Sequence, residues 1–239
     1  MSQMRKVVEP FLDRVDQALA ADYSAVLYGS LARGDYLEGR SDINLMLVLD
    51  HLDFDVLAVL VEPYRFWVGH GQFPPLLLSR AEWDRAADVF PIEITDMTIA
   101  YKVLRGRDPL EDAEVSRPEL RRSLEREFRG KLTRLRQGYL PAGSHPEGLG
   151  SLAQQSIGTI IVLMRCLLKL AGREGVADAR RVLTMAGAMV GFTAAPLLES
   201  LEHRGDKRWA CSRSLFEGYM TAVEKAVSYV DELQLGDAT

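Results

Sequence analysis

The chain has 239 residues, of which 47% are hydrophobic and 26% charged, and its formal net charge is -5. This composition is typical of a globular protein with a substantial core, and the length predicts two domains. The acidic balance disfavours a protein that coats nucleic acid through bulk electrostatics. The only two cysteines, Cys166 and Cys211, lie outside any Cys/His cluster, which argues against a structural zinc site.

The sequence shows no segment typical of a signal peptide or a membrane span. Residues 1–20 mix charged and apolar side chains and lack a continuous apolar core. The longest apolar stretch, 157–170, contains Arg165 and Lys169 and falls short of the roughly 20 residues that a membrane span needs. We therefore expect a cytoplasmic protein in which this stretch is a buried helix.

The first half of the chain alternates helical and strand patterns. Apolar residues recur at helical spacing over 4–20, and a short apolar run at 24–28 predicts a strand that ends at the turn-forming pair Gly29-Ser30. A nearly continuous apolar run at 43–49 predicts a central strand. The remaining patterns predict a helix at 53–68, a short strand at 76–78, a helical turn at 81–87 and a strand at 92–95, in an α+β unit that ends near Pro109.

The second half is helical by pattern. From Pro118 onward the apolar residues keep a helical spacing, interrupted at 141–146, 172–175, 191–193 and around Gly205. These interruptions predict a bundle of four or five helices. The chain as a whole therefore belongs to the α+β class, with an all-α second domain.

Two short motifs in the first half carry candidate chemistry. At Gly29-Ser30, a glycine at a strand end lets the backbone approach a phosphate, and Ser30 would open a helical turn whose N–H groups and hydroxyl can hold anionic oxygens. After eleven intervening residues comes Asp42-Ile43-Asn44. Because residues two apart on a strand face the same way, Asp42 and Asn44 would project together toward a bound nucleotide.

This combination resembles the signature of the polymerase-β-type nucleotidyltransferase superfamily: a hydrophobic residue, Gly-Ser, a spacer of this length, and Asp-hydrophobic-Asp on a strand. The run Leu31-Ala32-Arg33-Gly34 and Ser41 are further matches to its bacterial branch. The resemblance implies a mixed β-sheet with flanking helices over residues 1–112. It also implies that nucleotide is bound by Gly29, Ser30, Arg33 and Ser41.

The same resemblance implies two Mg²⁺ ions, one activating the attacking hydroxyl and one neutralising the departing pyrophosphate. The metal ligands would be Asp42, the residue at position 44 and a third acid from a neighbouring strand. Alternation along the predicted strand 92–95 favours Glu93, because it faces away from the apolar residues beside it, and Asp96 at the strand end is the alternative.

Asn44 departs from the superfamily signature, which has a second carboxylate there. The amide carries one negative charge fewer and has no bidentate capacity. At ~4 Å and an effective dielectric near 20, one charge–charge interaction is worth about 4 kcal/mol, so metal binding should weaken. Two hypotheses follow: an active site in which the amide oxygen still coordinates one Mg²⁺, and an inactive nucleotide-binding or regulatory protein.

The helical domain, predicted at 113–239, makes the layout similar to antibiotic adenylyltransferases, in which the acceptor binds between two domains. A basic amphipathic helix at 120–139 either meets the triphosphate or is a solvated face. Candidates for a general base are Glu199, Glu202 and His203, and the sequence selects none of them. No arginine precedes a histidine of this domain at the Arg-x(4–6)-His spacing of the helical RNase partners found beside minimal nucleotidyltransferases, which disfavours RNase activity.

The leading hypothesis is therefore transfer of a nucleotidyl group, AMP from ATP in most resembling families, to a hydroxyl of a small molecule or protein. The expected partners are a nucleoside triphosphate, Mg²⁺ and an acceptor, with no membrane. A template-independent polymerase on RNA ends fits the same superfold, but the acidic chain has no recognisable RNA-binding module, which disfavours nucleic acid as a partner.

Overall fold

The computed structural model describes residues 3–19, 21–36, 38, 41–143, 145–206 and 208–234. The chain divides into two compact units. We call them the sheet unit (Met1–Val89 with Ala100–Glu114) and the helical unit (Phe90–Ile99 with Val115–Thr239). The domain boundary at 112/113 stays a prediction. In the structure, Phe90–Ile99 belongs to the helical unit although it precedes that boundary.

The sheet unit is a mixed four-stranded sheet with helices. Its elements are a π-helical segment (Met4–Val8), α1 (Glu9–Ala18), β1 (Tyr23–Tyr28), α2 (Ser30–Arg33), β2 (Asn44–Leu49), α3 (Phe54–Gly69), β3 (Leu76–Ser79), α4 (Arg80–Trp83), α5 (Ala86–Val89) and β4 (Tyr101–Arg105). The strand order is β3-β2-β1-β4. Strand β1 is antiparallel to both neighbours, whereas β2 and β3 are parallel. The helices and strands predicted up to residue 87 are confirmed, with ends shifted by a few residues.

One face of the sheet packs against α1 and α3. Alternate strand residues such as Leu27 and Leu45 are buried in a cluster with Phe11 of α1 and Trp67 of α3. The Phe11 and Trp67 ring centroids are 4.8 Å apart, and the Trp67 indole N–H donates to the Phe73 carbonyl at 2.6 Å. Because side chains alternate along a strand, the residues between those of this cluster lie on the opposite face, which carries Asn44 and the buried Val26 and Met46.

The strand predicted at 92–95 is wrong: Pro91–Ile99 forms a helix, α6, of the helical unit. Alternating apolar residues suggested a strand, but Pro91, Ile94 and Met97 also recur every three residues and are buried. Proline is favoured in the first turn of a helix, where its missing N–H costs nothing. A short apolar run cannot separate the two periods, and here the helix forms. The strand beside β1 is β4, which the sequence analysis missed.

The helical unit also contains α7 (Arg117–Ala142), α8 (Pro146–Leu170), α9 (Ala179–Val190), α10 (Ala195–Glu202) and α11 (Arg213–Glu232). The predicted interruptions coincide with the ends of these helices. Among the described residues, α8 is the one helix long and apolar enough to cross a membrane, but 61% of its most apolar window is buried. Helix α8 contributes many residues to a single apolar cluster, which confirms the buried helix predicted at 157–170.

A buried ion pair joins α6 to α8. The Arg165 side chain is 1% exposed and donates to the Asp96 carboxylate, and to the carbonyls of Val176 at 3.0 Å and Ala177 at 3.2 Å. The Cys166 thiol donates to the Ile92 carbonyl at 3.4 Å, and burial raises the pKa of that thiol well above its usual value. A buried guanidinium needs such a partner, because an uncompensated charge in an apolar interior is strongly destabilising.

We expect Asp96→Ala to lower the free energy of unfolding by about 3–5 kcal/mol, because it leaves the Arg165 charge buried without its carboxylate. Equilibrium urea unfolding, followed by far-ultraviolet circular dichroism, measures the change. Glu174→Ala is the matched control, because Glu174 is an exposed acid of the same unit, where a substitution should change stability by less than about 0.5 kcal/mol. Equal stability of the two variants would contradict the structural role of Asp96.

Candidate functional site

The turn after β1 has a backbone conformation that requires glycine. Gly29 has φ +74° and ψ -153°, a region that residues with a Cβ rarely adopt. It leads directly into α2, where the Arg33 N–H donates to the Gly29 carbonyl at 3.0 Å. Gly34, with φ +88°, ends this helix after a single turn. The first N–H groups of a helix have no partner within it, so the turn presents donors at the end of the central strand.

Asn44 lies against this turn. Strands β1 and β2 pair Tyr28 with Asn44, so the Asn44 side chain begins one residue from Gly29 across the sheet. A Cβ placed on Gly29 would be 2.3 Å from the Asn44 amide nitrogen, far closer than two such atoms can approach. The space that the glycine leaves is thus occupied by the Asn44 amide. The structure brings the predicted site residues Gly29, Ser30 and Asn44 together.

Asp42 precedes β2 and is exposed. The chain between Asp42 and the strand is anchored, because the N–H of the buried Ile43 donates a hydrogen bond to the Gln72 side-chain Oε1 at 3.0 Å. The pKa of Tyr36 is raised by burial first and then by the negative charges of Glu38 and Asp42. An exposed carboxylate on an anchored segment is available to a ligand.

Arg33 and Ser41, the other predicted nucleotide-binding residues, lie at the edges of this region. The Arg33 side chain is 11% exposed, and its Nε is 3.5 Å from the Asp35 carboxylate. Ser41 is half-buried immediately before Asp42. Arg33 is therefore a nearly buried cation, one turn of helix away from Gly29, that a nearby carboxylate helps to neutralise.

The predicted third acid needs a correction. Glu93 was chosen by alternation along a strand, but it lies on the helix α6, so that argument no longer applies. It is exposed within the helical unit, where it lines a cavity of about 420 Å³ with Glu127, Arg204 and neighbouring residues of α8. The alternative, Asp96, neutralises the buried Arg165 and has a structural role.

Two tyrosines that the sequence analysis did not select lie in the same row as Asn44. Tyr28 pairs with Asn44 on one side and with Tyr101 of β4 on the other. Residues directly opposite each other in antiparallel strands have their side chains on the same face. The Tyr101 hydroxyl donates to the Asp108 carboxylate at 2.9 Å, and this hydrogen bond, followed by burial, raises the pKa of Tyr101. Only the register of β4 identifies this row, and β4 was missed from sequence.

The donor set at this site is small. Within the described parts of the chain no three His, Cys, Asp or Glu side chains are grouped so that they could hold a metal ion. Asp42 offers one carboxylate and Asn44 one amide oxygen. Mg²⁺ in proteins is often bound by one or two carboxylates plus the phosphates of its substrate. The donors therefore fit one ion shared with a nucleotide better than two ions held by the protein.

Comparisons with known proteins agree with this geometry. Residues 8–103 match the family model described as nucleotidyltransferase domain, and this range includes Gly29, Ser30, Asp42 and Asn44. A search of characterised protein sequences finds no match. Among solved structures, the chain is similar to the spectinomycin adenyltransferase AAD(9) from Enterococcus faecialis, with 11% sequence identity and a TM-score of 0.55. The similarity covers 94% of this chain and 99% of the other, whose structure contains ATP and spectinomycin.

At this identity the structural match establishes the fold, while the family match establishes the domain that contains the candidate site. The chain therefore carries a nucleotidyltransferase domain of the polymerase-β type, and in its α+β fold it resembles the antibiotic adenylyltransferases.

Proposed function

We propose that the protein transfers a nucleotidyl group, AMP from ATP, to a hydroxyl of a small-molecule acceptor. The observation that carries this proposal is the assembly of the Gly29 turn, the start of α2 and Asn44 at one end of the central strands, with Asp42 two residues before Asn44. The family match over residues 8–103 supports nucleotidyl transfer. The similar adenyltransferase, solved with ATP and spectinomycin, supports ATP as donor and a small molecule as acceptor.

The residues of the turn would bind the triphosphate. The N–H groups at the start of α2 and the Ser30 hydroxyl are donors for phosphate oxygens. The amide nitrogen of Asn44 lies over the same turn and is a further donor. Arg33, one turn of helix on, adds positive charge that favours a polyanion. In this arrangement the protein contributes to catalysis by holding the phosphates in position.

Asp42 and Asn44 would hold Mg²⁺ together with the phosphates of the nucleotide. When bound, the ion supplies neutralisation of the charge that develops on the phosphate oxygens. Asn44 would be the weaker ligand, because its amide oxygen is neutral. Glu93 stays the proposed third acid: it is exposed and forms no salt bridge with any described residue, whereas the Asp96 carboxylate is already used by Arg165.

A second candidate function has one observation in its favour. Asn44 removes a charge that the two-ion mechanism uses, and its amide is packed against Gly29. A protein with this arrangement would bind nucleotide without turnover and act as a cytoplasmic regulator or subunit. The two functions differ in whether nucleotide binding depends on metal, and the next measurement separates them.

We expect a non-hydrolysable ATP analogue to bind the protein in the presence of Mg²⁺, and Asp42→Ala to weaken that binding by more than about tenfold, because it removes the carboxylate proposed to hold the ion. Isothermal titration calorimetry with and without EDTA measures both effects. Asp55→Ala is the control, because Asp55 is an exposed acid in the first turn of α3. Binding that is equally tight in EDTA and in Asp42→Ala would favour the second function, and no binding at all would contradict both.

The Asn44→Asp substitution should tighten Mg²⁺ binding to the complex of protein and nucleotide by about tenfold or more, because it adds a charge near the ion. Titration of the complex with Mg²⁺, or with Mn²⁺ followed by electron paramagnetic resonance, gives the metal affinity directly. Asn44→Ala provides the comparison, because it removes the amide without adding charge. Equal metal affinity in the wild-type protein and Asn44→Asp would show that position 44 does not face the ion.

Gly29→Ala should destabilise the protein by about 2 kcal/mol or more, because alanine is strained at this backbone conformation and its Cβ would collide with the Asn44 amide. Gly34→Ala is the matched control: Gly34 also has a positive φ, but a Cβ there meets open space. The difference in unfolding free energy between the two variants contains the Asn44 contact and the greater backbone strain at Gly29. Gly29→Ala should therefore cost less stability in an Asn44→Ala background than in the wild-type protein, and an equal cost would show that the Asn44 contact does not contribute.

A further inference from the structure

A second cavity, of about 670 Å³, lies at the other end of the sheet from Gly29. Its lining includes Ser24 at the start of β1, Asp50 after β2, Arg80 after β3 and Arg107 after β4. A six-residue strand separates the two ends by roughly 17–20 Å. The volume falls in the range of about 300–1,000 Å³ typical of small-molecule sites. Nothing in the nucleotidyltransferase mechanism uses this cavity.

One arginine of the cavity is already neutralised. Arg105 lies 3.0 Å from Asp16, 3.4 Å from Asp13 and 3.6 Å from Glu9. The Tyr23 hydroxyl also donates to Asp16, and burial followed by this hydrogen bond raises the pKa of Tyr23. Three carboxylates around a single guanidinium leave it no capacity for a further anion, so Arg105 forms a wall of the cavity on the α1 side.

Arg80 and Arg107 are different. Within the described ranges, no carboxylate lies at salt-bridge distance from either residue. Arg80 is half-buried, and its Nη2 reaches the Ser24 hydroxyl at 3.5 Å, the limit of a hydrogen bond. The Ser24 side chain itself is 1% exposed. Arg80 therefore has no strong acceptor among the described residues, and the cavity has room for one. Arginine is rarely buried without a partner, which makes a bound anion a natural acceptor.

Both arginines belong to segments that approach Ser24. The Arg80 guanidinium crosses over β2 to reach Ser24 on β1. From the other side, Gly106 with φ +66° packs so tightly against β1 that a Cβ there would be 2.1 Å from the Tyr23 carbonyl and 3.0 Å from the Ser24 Cα. This contact fixes the start of Arg107 next to Ser24. The Arg80 guanidinium thus lies at Ser24, and Arg107 lines the same cavity. Guanidinium groups match the oxygens of a phosphate group.

The carboxylates of the cavity indicate the rest of the ligand. The register pairs Tyr23 and Ser79 with Leu49, which places Asp22, Asp50 and Arg80 side by side where the strands begin or end. Asp22 and Asp50 line the cavity and, among the described residues, form no salt bridge. Ionised carboxylates only accept hydrogen bonds, and sugar hydroxyls donate them.

We propose that this cavity is a second binding site, distinct from the nucleotide site, for a small phosphorylated polyol of the sugar phosphate class. The phosphate accepts hydrogen bonds from Arg80 and Arg107, and the hydroxyls of the ligand donate to Asp22 and Asp50. The inference does not depend on the proposed transferase activity, because no residue of the Gly29 turn takes part.

Calorimetric titration of the full chain with ribose 5-phosphate, ribose and inorganic phosphate tests the site. Ribose 5-phosphate should bind most tightly, inorganic phosphate more weakly, and ribose not measurably. Arg80→Gln and Arg107→Gln should each weaken ribose 5-phosphate binding by about tenfold or more, because a charge-assisted hydrogen bond is lost. Arg80→Lys, which keeps the charge but not the fork of donors, should lose less than Arg80→Gln.

Arg85→Gln is the matched control, because Arg85 is an exposed arginine near Arg80 whose Nε donates to the Ala81 carbonyl at 3.1 Å and which does not line the cavity. Its affinity should equal that of the wild-type protein. Three results would overturn the proposal: no binding of ribose 5-phosphate at about 10 mM, binding of inorganic phosphate as tight as that of ribose 5-phosphate, or unchanged binding in both glutamine variants. The last result would place the ligand elsewhere, for example at the Gly29 turn.

Discussion

The contact between the Asn44 amide and the backbone of Gly29 is the constraint on which the candidate site at this end of the sheet depends. The pairing of Tyr28 with Asn44 places the amide over the turn, and the missing Cβ of Gly29 gives it room. The same glycine conformation starts α2 and directs its N–H groups beyond the end of β1. The Gly29 turn and the Asn44 amide, which would bind phosphate, are therefore also the groups that pack β1 against β2 at this end of the sheet.

Asparagine at this position has two opposing effects. A carboxylate in its place would lie on an interior-facing strand near Asp42, and without metal the two like charges would repel each other. The neutral amide removes that repulsion and is easier to bury, so it stabilises the protein without ligand. It also removes charge that would bind a metal ion. Stability of the empty site and affinity for metal thus pull position 44 in opposite directions, a trade-off common at functional sites.

The sequence predicted the elements whose pattern is long or bounded by strong signals, and it failed where the pattern was short. The apolar run of β2 and the Gly29 turn identified the centre of the site. Strand β4 was missed because it is a short edge strand. Its apolar Val103 is exposed, so the strand lacks the alternation of buried apolar and exposed polar residues that identifies a strand from sequence. The pairing of Asp96 with Arg165 joins residues 69 positions apart, and no local pattern contains such information.

The two ends of the sheet lie on one rigid element, and this determines how two ligands would affect each other. Ser24, Tyr28 and their partners on β2 lie on the same face, with the fully buried Val26 and Met46 between them. Coupling between sites requires an element with two arrangements that both ligands bias. A buried strand pair has one register, because a one-residue slip would move its apolar side chains to the wrong face. The sheet unit by itself therefore favours independent binding at its two ends.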